Sequence, residues 1–540
     1  MLLLLIIVFL VFIYAIIYKS KRTLHMLQQN LYNENNRYIK WVLKNRRQFI
    51  SLDLLLVGIS LIGIYVIFDL SFISNLCLIL VILLLILIGY GWKRQIENDQ
   101  NKKKLVITAR IKRLIFTMSL LYLIPVVFAI KDVYNVRLIW IVVFIESLMI
   151  YLNVFVAFIA LIINTPVEKC VYLYYKKIAQ NKLKSMPNLK IIGITGSYGK
   201  TSSKNILSDI LNIKYNALPT PRNLNTYNGL IMTVNNYMDK FTDIFIAEMG
   251  AYVKGEIAGL CKLVKPKYGI ITRIGTAHLE TFGSEDNIVQ GKFELVESLP
   301  SDGFAILNGD DPKQVNYKIK NKVRIIWIGI ENENVDVRAT NIKCSNKGTS
   351  FDVLFKGDEK KYHFETKLLG DHNVYNILAA LACGREFDID IPDLITAVRN
   401  VRPVEHRLEL KRLGNFYQID DAYNSNPIGA ENACKILGMM PGYKVVVTPG
   451  MVELGTKEDE YNKKFGEQIA KVADIVILIG KKKTQPIKEG LLTSGFNKEQ
   501  IIVFNDVRDA YPYINNLAIS VKQDVYALFE NDLPDTYNEN

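Results

Sequence analysis

Hydrophobic positions divide this chain of 540 residues into two parts. Up to about residue 185 they form long unbroken runs. From Lys190 onward they form short β-branched runs separated by stretches with helical spacing. Five of the early runs, 1–18, 48–68, 70–92, 114–130 and 138–163, approach the ~20 residues that a bilayer-crossing helix needs. The later pattern predicts an α/β protein: a doubly wound parallel-sheet domain over 188–403, then a smaller Rossmann-like domain over 404–540. Strands are expected at 190–195, 243–248, 268–272, 304–308 and 323–329, and in the second domain near 415 and at 444–448, 474–479 and 501–504. Segments 351–356 and 361–366 alternate more and predict an antiparallel edge. The stretch 401–409 reads as the linker, and 531–540 as a frayed end.

Charge follows the same division. Residues 1–185 carry 23 Lys and Arg against 8 Asp and Glu, and the remainder carries 43 against 45. A basic protein often signals nucleic acid. Here the excess lies between apolar segments, so membrane topology explains it and no nucleic-acid partner is expected. Residues 19–47 and 93–113 each hold eight basic residues, which places both loops, and everything after Ile163, in the cytoplasm with the N-terminus outside. The expected protein is therefore a multi-pass cell-membrane protein with cytoplasmic catalytic domains and a membrane domain over 1–185. Two acids fall inside the spans. Asp53, near a cytoplasmic end, is expected to snorkel or to pair with Arg46 or Arg47. Glu146 is a functional candidate, or a bonding group at helical spacing from Asn153. Six scattered cysteines without a CxxC pair argue against a disulfide scaffold and a zinc site.

The strongest chemical signal is Thr195-Gly196-Ser197-Tyr198-Gly199-Lys200-Thr201-Ser202, directly after a strand and opening a helix. Glycines let backbone amides turn onto phosphate oxygens, and the helix N-terminus adds its dipole. Lys200 is placed to reach the outer phosphates and the Thr201 hydroxyl to ligate Mg²⁺. The loop is shorter than the general P-loop, because Ile194 stands where that pattern has its first glycine.

Further motifs follow in order: Glu248-Met249-Gly250, Thr272-Arg273-Ile274-Gly275-Thr276-Ala277-His278, Lys292, Asn308-Gly309-Asp310-Asp311, Gly370-Asp371-His372-Asn373, Arg407-Leu408-Glu409, and Asp420-Asp421-Ala422-Tyr423-Asn424-Ser425-Asn426-Pro427. Together with the shortened loop, over about 190–460, they resemble the Mur ligases, ATP-dependent amide ligases of cell-wall peptide assembly. The last motif resembles the MurF branch, which adds D-alanyl-D-alanine to a UDP-linked muramoyl tripeptide.

The resemblance implies ATP, two Mg²⁺ sites and a set of roles. Gly196, Ser197, Gly199, Lys200, Thr201 and Ser202 would hold phosphates. Asn373 would meet the adenine, with Asp371 as the N-cap of a helix over 372–383. Arg407 would contact phosphates, and Asp421, Tyr423 and Asn424 would reach the nucleotide from the second domain. Metal ligands would be Thr201, Glu248, His278 and Lys292, the last as a carbamylated lysine; read alone, Lys292 is a solvated helix-face residue. Catalysis would rest on Lys200, Lys292, His278 and Arg407. Asn223 and Asn225 would touch the acceptor, or serve only as turn residues. The implied partners are a muramoyl-peptide-type acceptor, an amino acid or dipeptide, and membrane-associated cell-wall enzymes.

Three departures stand out. Arg273 replaces a usual Asn, Pro449–Gly455 replaces a Gly-Asp-Met element, and apolar segments occupy the place of the soluble UDP-binding domain. Acceptor identity stays open between a UDP-linked peptide, a lipid-linked one, and a poly-γ-glutamate or pseudomurein type. A transporter or sensor driven by an ATPase is the reading from another class, and it leaves His278 and Lys292 without a role.

Overall fold

Local hydrogen bonding and burial give the early apolar runs long helices in a computed structural model that describes residues 2–30, 32, 36–44, 52–66, 71–97, 104–130, 135–422, 425–452, 454 and 457–532. The chain divides into two units, Met1–Tyr174 and Tyr175–Asn540. In the first, helices run over Leu2–Gln29, Leu52–Val66, Ser71–Glu97, Ala109–Ile130, Val136–Tyr151 and Asn153–Lys184. Among the described residues, three helical stretches are long and apolar enough to cross a membrane: Ile73–Glu97, Ala109–Phe128 and Asn153–Lys184. Leu52–Tyr65 is apolar but shorter.

One expectation for this unit needs correction. The run 138–163 is not one helix. The chain turns at Leu152, and the next helix is pinned where it starts by the Asn153 amide, which donates to Ser20 Oγ at 3.0 Å and to the Tyr122 hydroxyl at 2.8 Å. Asn153 therefore bonds to helices remote in sequence rather than to Glu146. Asp53 pairs with Lys19 of the first helix, both side chains being buried. Arg46 and Arg47, the expected partners, lie outside the described residues. Glu146 is buried, and its Oε1 is without a hydrogen-bond partner.

The second unit holds two sheets among its described residues. The first comprises β1 (Lys190–Thr195), β2 (Ala217–Pro219), β3 (Ile244–Glu248), β4 (Tyr268–Ile271), β5 (Phe304–Asn308), β6 (Arg324–Gly329), β7 (Val337–Ser345), β8 (Gly348–Phe355) and β9 (Tyr362–Thr366). Their order is β2-β3-β1-β4-β5-β6-β7-β8-β9, parallel as far as β7 and antiparallel from β7 to β9. Strands β3 and β5 are buried residue for residue, as a parallel sheet covered on both faces requires. In contrast, β7 and β8 alternate in exposure.

The second sheet comprises β10 (Glu409–Leu413), β11 (Phe416–Asp421), β12 (Tyr443–Thr448), β13 (Ile475–Ile479), β14 (Ile501–Phe504) and β15 (Val525–Glu530). Its order is β10-β11-β15-β12-β13-β14, parallel except for the β10–β11 hairpin. Residues 401–408 connect the two sheets without regular structure. His406 and Leu408 take left-handed backbone angles there.

Candidate active site

Strand β1 lies between β3 and β4; the chain leaves β1 toward β2 and β3 on one side and then crosses from β3 to β4 on the other, so the topology switches at the carboxyl end of β1. Such a switch point opens a crevice where ligands of open α/β sheets bind. The Gly196–Lys200 loop lies there. Gly196 adopts φ 152° with the Thr272 hydroxyl so close that an added Cβ would approach it to 1.9 Å. Gly199, at φ 82°, is the N-cap of the helix Lys200–Leu211. The amides of Ser197 and Tyr198 donate to the Arg273 carbonyl at 3.0 and 3.3 Å. Position 273 thus serves the loop through its backbone while its side chain is exposed, so Arg is accommodated where Asn was expected.

Lys200 donates to the carbonyls of Gly196 and Ser197 at 2.8 and 3.3 Å. Burial lowers its ammonium below the ordinary lysine value; Glu248 pulls it back up and Arg407 pushes it down further. The Thr201 hydroxyl lies 3.3 and 3.2 Å from the two carboxylate oxygens of Glu248. Glu248 ends β3, is 1% exposed, and also accepts from Asn225 Nδ2 at 3.1 Å and Lys204 Nζ at 2.9 Å. A hydroxyl and a carboxylate this close form a hard oxygen pair of the kind Mg²⁺ takes, with phosphate oxygens and water completing the shell. Among the described residues no cluster of three His, Cys, Asp or Glu side chains forms.

Lys292, expected at the surface by its residue type, is 2% exposed on the helix Glu285–Glu297. Burial first, and the charge of Lys200 second, lower its amine to about 7. His278 occupies the N-cap of the short helix Leu279–Phe282 in a left-handed conformation, exposed, with its ring 4.5 Å from that of Tyr252.

Asn373 is buried, donates to the Leu369 carbonyl at 2.9 Å and accepts from Asn376 at 3.4 Å. Asn376 in turn accepts from Ser203 Oγ at 2.6 Å, which ties the start of the helix Asp371–Glu386 to the phosphate-loop helix. Asp371 is not the N-cap. Gly370 holds that position with φ 85°, and Asp371 is the first helical residue, where a carboxylate still favours the dipole. The helix also runs on to Glu386 rather than ending at 383.

From the second sheet, Asp421 ends β11, and burial raises its carboxyl to about 6 against the pull of Arg407. The guanidinium of Arg407 thus acts on both Lys200 and Asp421. Ser202 is half-buried in the first turn of its helix, and Asn223 is exposed in the turn leading to Asn225. Tyr423 and Asn424, together with Glu453 and Gly455 of the 449–455 element, lie outside the described residues, as does the end at 533–540.

Four residues that build this site were given no role from the sequence. Thr272 donates to the Tyr198 carbonyl at 2.6 Å, and the Asp311 carboxylate accepts from the Ile274 amide at 2.9 Å, both within motifs already singled out. The other two are Asn376 and Lys204. Of these, Lys204 left a signal, one helical turn beyond Lys200 on the same helix face.

Two family models match this unit: the Mur ligase middle domain over 194–384 and the Mur ligase glutamate ligase domain over 406–527. The UDP-N-acetylmuramoyl-tripeptide–D-alanyl-D-alanine ligase of Bacillus subtilis is 34% identical over 325 residues, 59% of this chain and 68% of that protein. The chain belongs to the Mur ligase family. The Escherichia coli ligase of the same name is 33% identical over 296 residues, 54% of this chain and 65% of its own length. The fold matches MurF from Acinetobacter baumannii with a TM-score of 0.59 and 27% identity, covering 67% of this chain and 77% of that one. MurF from Thermotoga maritima, solved with ADP, matches with a TM-score of 0.58 and 25% identity, covering 67% and 80%. This Mur ligase thus spans about two thirds of the curated relatives, and its first unit is built of apolar helices.

Proposed function

We propose that this Mur ligase is a membrane-anchored, ATP-dependent amide ligase of MurF type. The γ-phosphoryl of ATP passes to a carboxylate oxygen of a muramoyl-peptide-type acceptor, releasing ADP. The amine, D-alanyl-D-alanine in this reading, attacks the resulting acyl carbon, loses a proton and expels phosphate. Phosphoryl transfer is mostly positioning and charge neutralisation, so the site must gather cations. One observation carries the reading: at the switch point beside β1 the phosphate-type loop holds the Lys200 ammonium next to a Thr201 hydroxyl that faces both carboxylate oxygens of Glu248, a cation and a hard oxygen pair at one loop.

Each residue then has a task. Lys200 neutralises the outer phosphates and Arg407 approaches them from the linker. Thr201 and Glu248 would hold Mg²⁺, which supplies further charge neutralisation when bound. Lys292, partly neutral at physiological pH, is in the state that reaction with CO₂ requires, and its carbamate would offer a second metal an anionic ligand. Closure about 401–408 excludes water from the acyl phosphate.

A second reading keeps this chemistry and changes the acceptor's carrier to a lipid. It is favoured by three long apolar helices preceding the two matching family domains, which span 194–384 and 406–527. Detergent-solubilised protein offered D-alanyl-D-alanine with UDP-linked or lipid-linked muramoyl peptide, with products identified by mass, decides between the carriers. Phosphate release without both co-substrates contradicts ligation, and recovery of the full chain in the soluble fraction contradicts anchoring.

A further inference from the structure

A second lysine on the phosphate-loop helix is not used by the mechanism above. Lys204 is 1% exposed, and its ammonium makes two directional bonds: to Glu248 Oε2 at 2.9 Å and to the backbone carbonyl of Arg222 at 2.6 Å. A buried ammonium is costly unless paired and hydrogen-bonded, and these two partners lie on different segments. Glu248 is the proposed metal carboxylate. Arg222, in a left-handed conformation at φ 49°, belongs to the 220–226 loop that carries Asn223 and Asn225.

The same loop is clamped to the end of β3 at three more points. Thr220 Oγ accepts from the Glu248 amide at 3.1 Å, Asn225 Nδ2 donates to Glu248 Oε1 at 3.1 Å, and the Asn225 carbonyl accepts from the Gly250 amide at 2.8 Å. Lys204 and Asn225 therefore each take one oxygen of the carboxylate. Together they fix its plane, while Thr201 faces both oxygens. A point-like ammonium on a flexible stem suits this two-way contact; a planar guanidinium does not.

We propose that Lys204 is a positioning residue that couples the 220–226 loop to the metal-binding carboxylate, so that acceptor on the loop and Mg²⁺ at Glu248 favour one another's binding. This rests on the functional reading above, in which the loop meets the acceptor and Glu248 meets the metal. Coupling of this kind is reciprocal. Acceptor tightens Mg²⁺-dependent nucleotide binding by the same factor by which Mg²⁺ tightens acceptor binding.

The test uses the full chain in detergent, a fluorescent ADP analogue and UDP-N-acetylmuramoyl tripeptide as the acceptor probe. In Lys204→Met the Mg²⁺ concentration for half-maximal nucleotide binding is expected to rise about tenfold without acceptor. Metal-free nucleotide affinity stays as in the wild type, and the acceptor no longer shifts the Mg²⁺ midpoint. An unchanged midpoint, or an acceptor shift as large as in the wild type, overturns the proposal. Thr220→Val, which leaves the ammonium and both carboxylate contacts in place, retains the shift if Lys204 carries the coupling and loses it if the Thr220 clamp does. That variant decides the matter should Lys204→Met not fold. Wild-type protein that ligates but shows no acceptor shift overturns this proposal alone; absence of ligation with every acceptor offered counts against the functional reading instead, while the metal-midpoint comparison still stands.

Discussion

Asp421 and Glu530 are register partners across the parallel pair β11–β15, so two carboxyl groups share the carboxyl edge of the second sheet. Glu530 is 1% exposed and accepts from the hydroxyls of Ser425 and Thr448. Burial raises it to about 8, with Asp421 adding to the rise and the two hydroxyls opposing it. The carboxyl that closes this sheet edge is therefore largely protonated at neutral pH.

Stability should record that protonation. Below about pH 4.5 Glu530 is neutral in both the folded and unfolded states. Between there and about 8 the folded protein holds a proton that the unfolded chain has released, so this group's contribution falls as pH rises. Glu530→Gln lacks the effect. Relative to the wild type its melting temperature should rise from pH 5 to pH 8, by several degrees, because a shift of this size corresponds to about 3 kcal/mol over that range. Differential scanning fluorimetry at the two pH values measures this, and a constant difference rejects the assignment.

Gly196→Ala should damage the nucleotide site with little effect elsewhere. The new methyl collides with Thr272 Oγ, whose hydrogen bonds to the Thr195 and Tyr198 carbonyls hold the loop at 3.2 and 2.6 Å. A loss of about 1–3 kcal/mol is the usual scale for strain of this type, equivalent to nucleotide binding about five- to a hundredfold weaker by titration calorimetry. Wild-type affinity in this variant removes the close approach from the account.

For Lys292 the expected signature is chemical. With its amine lowered to about 7, the neutral fraction grows as pH rises through neutrality. Activity should rise over the same range and fall when bicarbonate is stripped. Lys292→Ala should lose activity and regain part of it with a short-chain carboxylic acid, which stands in for the carbamate. Steady-state phosphate release reads both, and full activity in the variant contradicts the role.

Lys200→Ala is expected to abolish turnover while leaving the melting temperature within about 1 °C, because its ammonium bonds only to carbonyls of its own loop. Residual turnover above a few per cent removes Lys200 from the mechanism.

In the membrane unit, Asp53→Asn leaves the Lys19 ammonium buried beside a neutral amide. Breaking a buried pair from one side costs about 3–5 kcal/mol, so detergent-solubilised variant should lose its fold well below the wild-type temperature. The reversed pair, Lys19→Asp with Asp53→Lys, should recover part of the loss. Equal stability of single and reversed variants contradicts a stabilising pair.

Much of this architecture is written locally in the chain. β1, β3 and β5 are apolar except at their ends, because the middle of a parallel strand covered on both faces has nowhere to put a polar residue, and the Gly196–Thr201 loop declares itself through its spacing. What escaped depends on partners distant in sequence. β7, Val337–Ser345, alternates apolar with polar residues and reads as loop until β8 pairs with it. The Lys19–Asp53 pair spans 34 positions. Lys204 has the residue type of a solvated helix face and is buried only because Glu248 and the Arg222 carbonyl meet it there. The turn at Leu152 is invisible in hydropathy, since apolar residues continue on both sides and the pinning contacts come from Ser20 and Tyr122.

β15 is the last strand of the second sheet to be synthesised, yet it lies between β11 and β12. Until it is made, β11 and β12 each keep an unpaired edge on a nascent chain whose first sheet already has all of its described strands. Biogenesis of this protein therefore has a vulnerable interval before β15 emerges, when a chaperone decides whether the two halves of the nucleotide site ever meet.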